Sequence, residues 1–207
     1  MGQQVRLIRR AGVASVIMIS AVSTLTAAPA MAGTSFATGA IAYMCGTPFG
    51  QQPLEVRMNF TGPGSVAAGG TVTPTGITGS FVFDATLNAV LYASNRDGLR
   101  GTVTTPITGT NVTPASVAVT NLRIPEQVPP YVPGPRTVQF VQDASTVVPT
   151  FGTSTPGQAV ISLGPTLRID ADFHLRDGSW SPWTGNCTVK NTNPAQNRAF
   201  SPAITIN

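Results

Sequence analysis

The sequence predicts an all-β fold: an antiparallel, immunoglobulin-like β-sandwich closed by a disulfide between its N- and C-terminal ends. Three observations carry this. Short segments alternate apolar and polar residues with period two, the signature of strands with one buried face. Turn formers separate them, with 21 Gly and 18 Pro in 207 residues. Two cysteines, Cys45 and Cys187, stand near opposite ends of the chain. Hydrophobic residues make up 42% and charged residues only 10%, so the chain can bury enough apolar surface to offset the entropy of ordering, which argues against disorder.

In chain order, the first element is a leader. Arg6, Arg9 and Arg10 precede an apolar run from Ala11 to Ala28, and Ala30-Met31-Ala32 supplies small residues at alternate positions. This pattern predicts a signal peptide over 1–32, cleaved after Ala32, and a secreted domain over 33–207. Ser20, Ser23, Thr24 and Pro29 interrupt the run, which argues against a membrane anchor, since a span needs about 20 apolar residues. No second such run follows, so no transmembrane segment is expected in the mature chain. Removing the three leader arginines lowers the formal net charge from +4 to near neutrality. The remaining arginines are scattered, and nucleic-acid binding is not expected.

Leu54 to Phe60 is the clearest strand, with Leu54, Val56, Met58 and Phe60 on one face. Ile77 to Phe83 is a second strand, and Asp84 to Ala93 is the one stretch with helical character. Asn95-Arg96-Asp97-Gly98 reads as a turn, because Asp-Gly tolerates positive φ at little cost. Strands are then expected over Thr102 to Ile107 and Ser116 to Ile124. The second keeps its alternation only if one residue is bulged near Asn121. Ile124 to Pro135 holds five prolines, which cannot donate to a ladder, and reads as an extended connector between two half-sandwiches. Further strands follow over Thr137 to Val141, Gln158 to Leu163, Leu167 to Leu175, Thr188 to Lys190 and Ala203 to Ile206. Arg176-Asp177-Gly178 reads as a turn.

The cysteines are expected to pair, because an exported chain meets oxidising conditions and neither a CxxC motif nor a second His offers a metal-binding alternative. Closing so long a loop is worth roughly 4–5 kcal/mol in the chain-entropy treatment.

Candidate chemistry is sparse. Asp170, Asp172 and His174 alternate along one strand and so share a face, where they form a weak candidate metal or acid–base site; the leading reading is a plain solvent-facing strand surface, which requires nothing more than an amphipathic strand. GxSxG, HExxH and P-loop motifs are missing, so no catalytic residue is assigned and no cofactor is expected. Trp180 and Trp183 fall in Ser179 to Thr184, read as a turn, and with Tyr131 they are candidate ligand-binding residues able to stack on sugar rings. Packing on the core and the disulfide is the alternative role for the indoles.

Ala42-Tyr43-Met44-Cys45, the strand Leu54 to Phe60 and the segment Pro63 to Val72 together resemble a family of secreted actinobacterial proteins that share a β-rich domain of unknown function. The resemblance spans Tyr43 to Lys190 and implies an exported β-sandwich closed by a late cysteine, without an established activity. The expectation is therefore a secreted, non-enzymatic protein with a binding or structural role at or outside the cell envelope, whose partner is a cell-wall polysaccharide or another envelope protein. A carbohydrate-binding module and, behind it, a metal-dependent hydrolase are the alternatives.

Overall fold

The computed structural model describes residues 33–207, and the expected leader at 1–32 lies outside them. The elements are β1 (Thr34–Ala37), β2 (Ile41–Thr47), β3 (Gly50–Gly62), β4 (Ser65–Val66), β5 (Thr71–Val72), β6 (Thr75–Phe83), α1 (Ala85–Ala93) and β7 (Arg96–Thr110). They continue with β8 (Val112–Thr113), β9 (Ser116–Gln127), β10 (Arg136–Val141), β11 (Phe151–Thr153), β12 (Gly157–Leu163), β13 (Thr166–Leu175), β14 (Trp180–Val189) and β15 (Ile204–Ile206). The described residues are thus mostly β, with one short helix.

Alternation places the core. On β3, Leu54, Val56, Met58 and Phe60 are buried, while Glu55, Arg57 and Asn59 face solvent. Each such side chain, fully buried, contributes roughly 1.5–3 kcal/mol relative to exposure. Facing aromatic pairs tie strands together: Phe36 stacks on Phe60 at 4.8 Å, and Phe200 meets Phe60 edge-on at 4.9 Å. Glycine matters at β6, where Phe140 of β10 lies across Gly79 and occupies the space a Cβ would need.

The strands pair in the order β13-β14-β2-β3-β6-β10-β9-β7, and β7 pairs again with β13, so the hydrogen-bonded ladder closes on itself. A ring of eight strands leaves an interior that side chains can fill. The β9–β10 junction is its thinnest link, with Val141 opposite Arg123. There the Gln127 amide substitutes for backbone, donating to Gln139 O at 2.9 Å and accepting from Gln139 N at 3.0 Å. The far half of β7 pairs with β12, which continues antiparallel to β15 and then parallel to β4, so the sheet is mixed. A small separate sheet runs β5-β11-β8.

The disulfide joins Cys45 and Cys187 across 142 residues. The two are direct partners on neighbouring strands β2 and β14, and both are buried. This differs from the immunoglobulin arrangement, in which the bond crosses between facing sheets. Above it, the Tyr43 hydroxyl donates to Gly164 O at 2.7 Å, and burial pushes its phenol well above the ordinary tyrosine range, opposed by the nearby Arg198 charge.

Several local expectations are met. Asp84 caps α1 by accepting from Leu87 N at 2.7 Å. In β9, Thr120 and Asn121 together face Thr104, and Asn121 takes φ 59°, so the bulge lies where the alternation required it. Two expectations are corrected. The reversal after α1 is confined to Ser94 and Asn95, with Asn95 at φ 70°, and Arg96 already opens β7. Gly98 serves close packing there, since a Cβ would press on His174 and Val128. The strand β9 runs on through Pro125, because Pro125 and Glu126 form a second bulge opposite Arg100, a position that requires no N–H donor. The remaining proline segment, 128–135, connects ring neighbours β9 and β10.

Candidate functional site

On β13, Leu167, Ile169, Ala171 and Phe173 point into the core, so Asp170, Asp172 and His174 share the outer face as expected. They do not converge. Asp170 receives both Nε and a terminal nitrogen of Arg168, at 2.7 and 2.8 Å, plus the Thr184 hydroxyl at 2.9 Å. The Arg168 hydrogen bonds hold its carboxyl below the usual range, against the opposing effect of burial. Asp172 pairs with Arg100 at 3.5 Å, and Arg100 also reaches Glu126 at 3.5 Å. His174 turns to Asp97 on β7, with Nδ1 and Oδ1 2.6 Å apart. Among the described residues no three His, Cys, Asp or Glu side chains are grouped to hold a metal ion.

The tryptophans lie on a strand and not on a turn, and that separates them. In β14 residues three apart face opposite sides. Trp183 points inward, is 8% exposed, packs on Phe173 at 5.1 Å, covers Gly185 and donates Nε1 to Gly46 O at 3.2 Å. It belongs to the core side of the sheet and offers no ring to a ligand. Trp180 points outward and is half-buried: Arg100 lies over its ring at 4.0 Å, and His174 meets it edge-on at 4.8 Å. Tyr131 is elsewhere, on the proline segment, stacked on Tyr92 of α1 at 4.1 Å.

That stack forms one wall of a cleft which sequence reasoning missed. It has a volume of about 190 Å³ and lies between α1 and the 128–135 segment, walled by Tyr92, Tyr131, Pro129 and Pro130, with Arg96, Asp97 and Arg136 also lining it. Local chemistry builds it. Prolines keep the segment extended without internal hydrogen bonds. The buried Asn88 of α1 then anchors it, donating Nδ2 to Val132 O at 3.1 Å and Gly134 O at 2.9 Å. On the other side of Tyr92, the Arg176 guanidinium lies 4.5 Å from the ring.

The charged lining is partly spent on structure. Arg136 donates to Asp97 O at 2.9 Å and Gln127 O at 3.0 Å, and burial lowers its pKa against the opposing pull of the Asp97 carboxylate. Arg96 packs its guanidinium toward the Phe49 and Phe173 rings at 5.4 and 5.8 Å, and one terminal nitrogen donates to Ser94 O at 3.2 Å. Its Nε is buried with no hydrogen-bond partner among the described residues. Asp97 therefore joins two regions, lining the cleft and holding His174. The sequence signal for this site was present in Tyr92 and Tyr131, but only the fold brings positions 88–97 and 129–136 together.

Comparison with curated proteins and with solved structures finds no match. A family model, described only as a family of unknown function, does match, over residues 42–201, a span that contains both cysteines, α1, the proline segment and β13. The chain thus belongs to the DUF6801 family of unknown function.

Proposed function

We propose that this protein is secreted by way of the 1–32 leader and acts without catalysis, as a binding component at or outside the cell envelope. The observation that carries the reading is the cleft between α1 and the proline segment: a concave, aromatic and proline-lined surface with a few polar groups, the usual form of a small-ligand site. The buried disulfide is compatible with an oxidising compartment. Among the described residues no helix is long and apolar enough to cross a membrane. The disulfide between neighbouring strands sets the ring apart from immunoglobulin domains.

The test is co-sedimentation of the purified protein with cell-envelope fractions and cell-wall polysaccharide, comparing wild type with Tyr131→Ala. Retention that weakens in the variant is the expected result. Hydrolysis of a glycan, ester or peptide panel that is lost in His174→Ala would contradict a non-enzymatic role.

Carbohydrate recognition is the second reading, and the half-exposed Tyr131 favours it. It now rests on Tyr131 and Trp180, because Trp183 is buried. Tyrosine and tryptophan fluorescence unchanged by cell-wall polysaccharide would count against it. A metal-dependent hydrolase at Asp170, Asp172 and His174 draws no support from their separate partners, and metal analysis of protein purified without added ions tests it directly.

A further inference from the structure

We infer that the cleft between α1 and the 128–135 segment binds a small organic carboxylate built on one flat six-membered ring, with the ring against Tyr131 and its flanking prolines and the carboxylate at Arg96. This rests on the reading of the cleft as a binding site and adds the chemistry of its ligand.

Size sets the first limit. A cavity of about 150 Å³ lined by apolar side chains holds a single benzene ring, whereas drug-sized ligands take about 300 Å³ or more. The 190 Å³ of this cleft therefore suits one ring bearing a small group. The wall favours a flat ring. Tyr92 has Arg176 over its ring and Tyr131 stacked on it, while Tyr131 remains 37% exposed beside Pro129 and Pro130.

Charge sets the second limit. Two guanidiniums and one carboxylate line the cleft, and that carboxylate, Asp97, is already engaged by His174. Arg136 donates its terminal nitrogens to backbone carbonyls. Arg96 is left with no carboxylate partner and with a buried Nε that has no acceptor among the described residues. Its Nε is closed to solvent, so a ligand reaches Arg96 at the terminal guanidinium nitrogens, where a charge-assisted bond to a carboxylate is about twice as strong as a neutral one. The neighbouring Phe49 and Phe173 rings lower the local dielectric and strengthen it further. The open groove along Arg100, Glu126 and Asp172 offers no comparable demand, because Arg100 already faces two carboxylates and the lining carries one more acid than base.

The experiment is calorimetric titration of the purified protein with benzoate, with its neutral isostere benzamide, and with acetate. Benzoate is expected to bind at least about tenfold more tightly than benzamide or acetate, and to weaken as salt is raised. Arg96→Met, which keeps the packed stem, brings benzoate down to the benzamide level and leaves benzamide unchanged. Tyr131→Ala, on an exposed segment whose replacement spares the core, weakens both ring compounds. Benzamide binding as tightly as benzoate overturns the carboxylate assignment and leaves the cleft as a ring-binding site. Binding by neither ring compound overturns the assignment and the cleft reading together, as does benzoate binding that Tyr131→Ala does not alter.

Discussion

His174 and Asp97 meet at 2.6 Å across the β13–β7 ladder, although 77 residues separate them in sequence. Both side chains are about four-fifths buried, so each depends on the other to satisfy its polar atoms. The contact also couples the outer face of β13, where Trp180 and Arg100 lie, to the lining of the cleft.

His174→Ala and Asp97→Ala are each expected to destabilise the fold by about 1–3 kcal/mol, since each leaves a part-buried polar group unpaired. In urea unfolding of both single variants and the double variant, the two losses should be non-additive, with a coupling of about 0.5 kcal/mol or more. Simple additivity would mean the pair contributes nothing as a pair.

The two tryptophans should separate sharply. Trp183→Ala empties a buried site between Phe173 and Gly185 and is expected to cost about 3–5 kcal/mol. Trp180→Ala removes a stacking surface for Arg100 at a half-exposed position and should cost about 1 kcal/mol or less. Thermal unfolding of the two variants checks the order, and equal losses would contradict the assignment of opposite faces.

Replacing both cysteines, as Cys45→Ala with Cys187→Ala, is expected to lower stability by about 2–5 kcal/mol, because a loop spanning 142 residues is released in the unfolded chain. The denaturation midpoint should fall with the folded-state circular dichroism unchanged, since the β2 and β14 ladder keeps its hydrogen bonds to other partners. A variant that loses its β signature in buffer would show that the bond is needed to form the ring at all.

Acid should weaken the fold in a narrow window. Asp170 is held below its usual range by Arg168, and Asp143 and Asp177 by hydrogen bonds from Ser145 and Ser179. A carboxyl depressed in the fold lends stability that is fully present above its unfolded value, near about 3.9, and is lost as pH falls through the lower folded value. Thermal midpoints are therefore expected to be flat with respect to these groups above about pH 5 and to drop below about pH 4. Asp170→Asn should show a shallower drop, and an unchanged slope would remove Asp170 from the account.

The parts of the structure that were legible in the sequence are those governed by local pattern. Period-two alternation located β3, the demand for continuous burial located the bulge at Asn121, and the one stretch of helical character, Asp84 to Ala93, holds α1. Cys45 and Cys187 pair as expected, but their being direct neighbours on adjacent strands depends on strand order, which alternation does not encode. Turn chemistry misled at Asp97-Gly98, where glycine admits a close strand crossing, and at Trp180 to Thr184, where Pro182 lies within a strand that continues through it. The five prolines of 124–135 concealed a bulge and the wall of a cleft within one run. The site itself was beyond sequence reading because its halves, α1 with the start of β7 and the segment before β10, are brought together only by ring closure and by the Asn88 anchor.

The most direct measurement of the binding role is amide chemical-shift mapping of the isotopically labelled protein against a mixture of small ring compounds. The account predicts saturable shifts clustered at Asn88, Tyr92, Arg96, Tyr131 and Arg136, lost in Tyr131→Ala. Saturable shifts confined to another face, or none at any concentration tested, would contradict it.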